Sequence, residues 1–386
     1  MTRKILAVFG TRPEAVKMAP LIRQLDRHRE RFETRVCVTA QHRTLLDQVL
    51  DTFEIRPHYD LDIMASRQDL HDVTSRLLAA IRPVLEDFEP DLVLVQGDTT
   101  TTFCAALAAY YEQIDIGHVE AGLRTGDIYS PYPEEINRQL VTRLSKYHFA
   151  PTRLNRGNLL RENVDPQNIA VTGNTGIDAL RLVVARLESH RSERDRVMQK
   201  IQQAGIAARV LDSRSKIILV TGHRRESLGA GLENLCEAIR DLANEQKGIE
   251  IVYPVHLNPN VREPVRRILS ETRNVHLIEP LPYEEFVLLM SRAHLILTDS
   301  GGIQEEAPAL GKPVLVTRRN TERTEAVEAG STRLVGTDRA EIVARARDLL
   351  TDPRAYERMA AATNPYGDGT AAEQIVCFLK ERLSGP

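Results

Sequence analysis

The sequence predicts an α/β fold built as two doubly wound domains, and three observations carry that prediction. Short β-rich runs alternate with longer segments of helical period from end to end. Several runs are almost wholly apolar, such as Leu92-Val93-Leu94-Val95 and Ile217-Ile218-Leu219-Val220. Strands covered by helices on both faces need that composition. The alternation pauses once, between Asn174 and Ser215, and so separates two series of strands.

In the first series, strands are read at 4–10, 34–40, 91–97, 114–120 and 147–150. Helices are read at 13–29, 69–87, 99–111 and 134–145, where apolar residues recur every three or four positions. The pause holds an apolar segment, 180–188, and a highly charged one, 189–203, together read as a solvated helical hairpin. The second series places strands at 216–221, 249–255, 275–278, 294–298 and 313–316. A breaker cluster, Asn364-Pro365-Tyr366-Gly367-Asp368-Gly369, precedes an amphipathic helix at 371–383. That helix is expected to cross back, giving a first domain of 1–173 plus 367–386 and a second of 174–366.

Composition narrows the function. Of 386 residues, 42% are apolar and 27% charged, which excludes wholesale disorder. Fifty-one basic against fifty-four acidic side chains leave a net charge of −3, unlike a bulk nucleic-acid binder. Positive charge for an anionic ligand must therefore be local. Cys37, Cys104, Cys236 and Cys377 are far apart with no CxxC spacing, against a disulfide framework or a cysteine zinc site. No apolar stretch approaches the ~18 residues of a membrane span and no leader motif is visible, so a cytoplasmic protein without membrane partners is expected.

Ligands of open α/β sheets sit beyond the carboxyl ends of the strands, so those segments carry the functional reading. After the first strand, Gly10-Thr11-Arg12-Pro13-Glu14-Ala15-Val16-Lys17 puts Arg12 and Lys17 where a helix opens. Two cations suit a helix N-terminus when an anion joins them, and otherwise are solvated charges. Asp98 follows the third strand, as an acid or as a helix cap. Glu120 ends the next strand, and Glu134 begins the block Glu134-Glu135-Ile136-Asn137-Arg138. If these three carboxylates converge, their pKa values separate and suit acid–base work. In the second half, His223-Arg224-Arg225 follows a strand, as an anion clamp or a salt-bridged loop, and His256 lies between two prolines, Pro254 and Pro259. Thr298-Asp299-Ser300-Gly301-Gly302 follows an apolar strand and opens a helix. Its glycines let a phosphate approach backbone N–H groups, Ser300 adds a donor, and Glu306 lies a turn further in, where it can accept from ribose hydroxyls. No GxGxxG, GxxxxGK[ST], GxSxG or HExxH occurs, and Asp60-Leu61-Asp62 is too short a DxD match to mean a metal.

Together these segments, in this order and spacing, resemble the non-hydrolysing UDP-N-acetylglucosamine 2-epimerases over nearly the whole chain, from Phe9-Gly10-Thr11-Arg12-Pro13-Glu14 to Gly311-Lys312-Pro313-Val314. The resemblance implies a GT-B fold, two Rossmann-like domains facing a cleft. It implies Asp98, Glu120 and Glu134 as acid–base candidates and His223 near the diphosphate. Arg12, Lys17 and Arg138 would bind substrate, with Phe286 near uracil, Ser300, Gly301 and Gly302 on phosphate, Glu306 on ribose and Arg323 at the nucleotide. Arg224 and His256 resemble residues of a second UDP-N-acetylglucosamine site that activates bacterial members. Leu281-Pro282-Tyr283 and Thr324 depart from the common Gln-Asp pair and proline. The implied activity is interconversion with UDP-N-acetylmannosamine for cell-surface polysaccharide synthesis, by a homodimer using no cofactor and no metal. A diacetamido uronate is the alternative sugar. A GT-B glycosyltransferase, a hydrolysing epimerase and a silent nucleotide-sugar sensor are the rival functions.

Overall fold

The computed structural model describes residues 2–39, 43–65, 68–211, 215–222, 224, 228–246 and 248–383. It divides into two compact units, Met1–Ala179 with Tyr366–Pro386, and Leu180–Pro365.

In the first unit the strands are β1 (Arg3–Phe9), β2 (Phe32–Val38), β3 (Tyr59–Asp60), β4 (Leu92–Gln96), β5 (Asp115–Val119), β6 (Tyr147–Ala150) and β7 (Ile169–Val171). The helices are α1 (Arg12–Asp26), α2 (Arg43–Phe53), α3 (Leu70–Phe88), α4 (Thr100–Tyr111), α5 (Glu134–Leu144), α6 (Arg153–Arg161) and α7 (Thr175–Ser189), and the division between units falls inside α7. The sheet is parallel, in the order β3-β2-β1-β4-β5-β6-β7. Chain direction across the sheet reverses between β1 and β4, which makes their carboxyl ends a topological switch point. Leu6 and Val8 of β1 with Val93 and Val95 of β4 pack against Ile81 and Leu85 of α3 and Ala105 and Ala109 of α4. Each such buried Leu or Val contributes about 1.5–3 kcal/mol.

The second unit continues with α8 (Arg191–Gln203), β8 (Lys216–Thr221), α9 (Ala230–Glu245), β9 (Ile249–Pro254), α10 (Pro259–Leu269), β10 (Val275–Ile278), α11 (Tyr283–Arg292), β11 (Ala293–Thr298) and α12 (Gly301–Ala309). Then come β12 (Val314–Val316), α13 (Thr324–Glu328), β13 (Thr332–Leu334), α14 (Arg339–Thr351) and α15 (Pro353–Ala360). Its parallel sheet runs β10-β9-β8-β11-β12-β13, with the switch point between β8 and β11.

The last helix, α16 (Ala371–Arg382), belongs to the first unit. Asp178 caps it: its carboxylate accepts from the N–H groups of Ala371 (3.2 Å) and Ala372 (2.8 Å). The Phe378 ring meets Phe149 and Tyr147 edge-on at 5.6 and 5.8 Å. Gly173 faces the Tyr366 carbonyl, where a Cβ would stand 3.1 Å away.

The charged stretch after Asn174 corrects one expectation, because it is packed and not a solvated hairpin. Leu180, Val183, Leu187, Val197 and Ile201 are buried. The charges pair with two buried acids of α11: Arg186 with Glu284, and Lys200 with Glu285 at 3.1 Å. Among the described residues no helix is long and apolar enough to cross a membrane. The four cysteines are free.

Candidate functional site

At the first switch point the backbone must turn in little space. A Cβ on Gly10 would lie 2.1 Å from Thr39 Oγ1 and 2.6 Å from Thr101 Oγ1, so only glycine fits. Thr11 then caps α1, with Pro at the start of the helix and Glu14 at its third position. Glu14 is 2% exposed. Its Oε2 accepts from the N–H groups of Gly10 (3.1 Å) and Thr11 (2.7 Å), and Oε1 lies 2.6 Å from Thr99 Oγ1 and 3.0 Å from Thr102 Oγ1. One side chain thus joins the β1–α1 turn to the β4–α4 turn. Burial drives its pKa up, against those bonds.

Asp98 sits in the second of these turns and is fixed from α5. Arg138 Nε donates to its Oδ2 at 2.9 Å, and Asn137 Nδ2 donates to its carbonyl at 3.0 Å. Arg138 also reaches Glu135 at 3.0 Å. Glu134 opens the same helix, and its Oε2 is buried with no hydrogen-bond partner among the described residues. Glu120 follows β5, next to β4, and its Oε2 accepts from Lys17 and, at 2.5 Å, from Gln96 Nε2. Its backbone φ is +64°, a costly conformation for a residue with a side chain.

Asp98, Glu120 and Glu134 therefore occupy one edge of the first sheet. The groups bonded to Asp98 and Glu120 are cations and amides, however, and not one another. Arg12, which opens α1, is half-buried and makes no ion pair with the described residues.

Beneath the Asp98 turn, His118 is fully buried and its Nε2 lies 2.7 Å from the Gly97 carbonyl. Burial pushes its pKa down to about 3, against that bond, so the ring is neutral and Nε2–H is the donor. His148 on β6 is likewise pushed down, to about 4, by burial. Among the described residues no group of three or more His, Cys, Asp or Glu is arranged to hold a metal ion.

At the second switch point Thr221 and Thr298 pair in register, their hydroxyls 2.6 Å apart. Thr298 Oγ1 accepts from the Ser300 N–H at 3.0 Å, and Asp299 accepts from the Arg224 N–H at 2.7 Å. Ser300 caps α12 without spending its hydroxyl on a cap bond. The Arg323 guanidinium lies against Gly301, where a Cβ would stand 2.9 Å from Cζ, whereas a Cβ on Gly302 would meet nothing within 4 Å. So the two glycines differ: Gly301 admits an arginine, and Gly302 faces open space.

The loop before α13 is laid along α12 by paired side chains. Arg323 Nε donates to Glu305 at 2.8 Å, and Thr321 Oγ1 donates to Gln304 at 2.6 Å. Buried Arg318 grips Glu322 through two bonds of 3.1 Å. Burial disfavours the Glu322 charge, but the bonds from Arg318 outweigh it and hold the pKa at about 2. Glu306 and Phe286 are half-buried on α12 and α11. Arg224 and His256 follow the neighbouring strands β8 and β9, His256 with its ring exposed and its Nδ1 accepting from the Asn258 N–H at 3.1 Å. His223 lies outside the described residues.

Residues 23–380 match the family model for UDP-N-acetylglucosamine 2-epimerase. The chain belongs to that family. A Yersinia pestis protein named UDP-N-acetylglucosamine 2-epimerase is 58% identical over 380 residues, 98% of each chain. The crystal structure of UDP-GlcNAc 2-epimerase from Neisseria meningitidis bound to UDP-GlcNAc is 50% identical, with a TM-score of 0.89 over 98% of this chain and 100% of that one. The Methanocaldococcus jannaschii UDP-GlcNAc 2-epimerase in complex with UDP-GlcNAc and UDP is 33% identical, with a TM-score of 0.79 over 98% and 99%.

Within this member of the epimerase family the two switch points differ in chemistry. The first gathers acids with paired cations. The second offers a helix N-terminus under a guanidinium, a setting for an anion. Sequence reading gave no role to Gln96, Glu135, Asn137, Glu305, Arg318 or Glu322, whose partners lie elsewhere in the chain. Glu14 did leave a signal, the Thr-x-x-Glu pattern of a capping box.

Proposed function

We propose that the chain interconverts UDP-N-acetylglucosamine and UDP-N-acetylmannosamine by eliminating and re-adding UDP. The C2 proton has no neighbouring carbonyl, so simple enolisation is closed. Instead a base takes H2, the C2–H electron pair forms a C1=C2 bond, and the C1–O bond breaks with its electrons leaving on UDP. In the return step a diphosphate oxygen attacks C1 while C2 takes a proton on the opposite face. Atoms and charge balance without a redox cofactor.

In this reading Asp98, Glu120 and Glu134 form the proton-transfer set, with Arg12, Lys17 and Arg138 beside it as substrate-binding cations. Ser300, Gly301 and Gly302 hold the diphosphate and Arg323 answers its growing charge. His223 assists the leaving group, Glu306 takes the ribose and Phe286 the base. Arg224 and His256 serve a second, activating nucleotide-sugar site. The enzyme works as a cytoplasmic homodimer supplying cell-surface polysaccharide synthesis. The observation that carries the reading is the contrast between the switch points, acids with cations at β1/β4 and a helix N-terminus under Arg323 at β8/β11.

The test is proton NMR of the protein with UDP-N-acetylglucosamine in D2O. The manno isomer should accumulate with deuterium at C2. Steady release of UDP with free N-acetylmannosamine means a hydrolysing enzyme instead, an unchanged spectrum means a sensor, and isomer that retains its original hydrogen rules out the elimination.

A further inference from the structure

The buried carboxyl of Glu14 has no place in the chemistry above, yet it bonds both turns of the first switch point. It takes two backbone N–H groups from the turn leading to Arg12 and Lys17. On the other side it meets the hydroxyls of Thr99, which caps α4 directly after Asp98, and of Thr102 in the first turn of that helix. Opposite, Asp98 is held by Arg138 and Asn137, and the Gly97 carbonyl by His118. The loop bearing Asp98 is thus clamped from two sides, and Glu14 is the clamp that ties it to the cationic turn.

We propose that Glu14 is a positioning residue for the epimerisation. It holds Asp98 in register with Arg12 and Lys17 through the Thr99 and Thr102 hydroxyls. The proposal rests on the functional reading above.

The donors and acceptors around Glu14 determine which substitutions should work. The backbone N–H groups only donate, so the atom facing them must accept. The hydroxyls donate or accept. Thr102 Oγ1 also lies 2.7 Å from the Gln96 carbonyl, so its one hydrogen has two acceptors in reach. A glutamine fits that arrangement: its carbonyl oxygen faces the N–H groups and its amide donates to hydroxyls that then act as acceptors. Alanine breaks the tie from one side, and Thr102→Val breaks part of it from the other while keeping the volume.

The experiment compares the parent with Glu14→Ala, Glu14→Gln, Thr102→Val and Thr102→Ser, reading two quantities. The first is amide hydrogen exchange in peptides covering residues 8–16 and 96–104. The second is kcat and KM for UDP-N-acetylglucosamine. Glu14→Ala and Thr102→Val should speed exchange in both peptides and lower kcat roughly 10- to 100-fold, with KM changed less than about threefold. Glu14→Gln and Thr102→Ser should stay within about threefold of the parent on both readouts. Faster exchange with unchanged kcat makes Glu14 merely structural and overturns the proposal, as does a glutamine variant as slow as the alanine one. If Glu14→Ala fails to fold, the Thr102 pair decides: a slow valine variant beside a parent-like serine variant supports the proposal, and equal turnover in the two overturns it. A parent that does not epimerise refutes the functional reading and with it any positioning role, while the exchange data still report whether the tie exists.

Discussion

Lys17 donates to Glu120 across the carboxyl edge of the first sheet, joining the second turn of α1 to the residue that follows β5. The pair is largely shielded, with 18% and 11% of the two side chains exposed. Removing one member strands the other in a poorly solvated place. Lys17→Met should therefore cost about 2 kcal/mol of stability, between the values for exposed and buried pairs. Urea unfolding measures this. Turnover should fall at least tenfold as Glu120 loses its orientation. Parent-like values of both would remove Lys17 from the site.

The three carboxylate variants should separate by stability even though each loses most turnover. Asp98→Asn, Glu120→Gln and Glu134→Gln are each expected to lower kcat by about 10²–10⁴ while UDP still binds. Asp98→Asn should also destabilise, because it takes charge from Arg138, a side chain only 6% exposed. Glu134→Gln should not, since its buried Oε2 has no hydrogen-bond partner among the described residues. Glu120 allows a further check. At φ +64°, Glu120→Gly should fold about 1 kcal/mol more stably than Glu120→Ala, both inactive. Full turnover in all three amide variants would sink the assignment.

Acid should unfold the first unit through its buried histidines. His118 and His148 are depressed to about 3 and about 4 from an ordinary value near 6.5. Between pH 4 and 6 the unfolded chain holds their protons and the folded one does not. Stability should thus fall, as pH falls through that window, by about 1.4 kcal/mol per unit for each histidine. Asp178 works oppositely: burial raises it to about 6, so rising pH through the same window costs up to the same amount and offsets one histidine. His118→Gln should flatten the slope of urea-unfolding free energy against pH. A slope equal to the parent's would show that His118 does not carry the effect.

Most of the sheets was legible because doubly covered strands are apolar throughout. β4 and β8 reveal themselves in four consecutive apolar residues each. The edge strands β3, β7 and β13 span only two or three residues, too few for any period to show. The segment 189–203 misled because its charges outnumber its apolar residues, although the partners of Arg196 and Lys200, Glu284 and Glu285, are buried. At the site, the residue types were legible and their partners were not. Lys17 and Glu120 lie 103 positions apart, and Arg138 lies 40 from Asp98. No local pattern encodes such pairs.

Gly301 and Gly302 provide a test in which the same added methyl does two different things. At 301 it strikes the Arg323 guanidinium and must push it from Glu305, so Gly301→Ala should lose about 1–2 kcal/mol of stability and weaken UDP binding together. At 302 it enters open space on a helix, where alanine is favoured over glycine by about 0.5–1 kcal/mol. Gly302→Ala should thus leave folding intact or slightly improved. If a phosphate sits against that backbone, its affinity for UDP should still fall at least tenfold, because the methyl blocks the approach to the N–H groups. Adding Arg323→Ala to Gly301→Ala should remove the clash without restoring UDP affinity. Titration calorimetry with UDP beside urea unfolding separates these effects, and a Gly302→Ala protein that binds UDP as tightly as the parent would mean the diphosphate is held elsewhere.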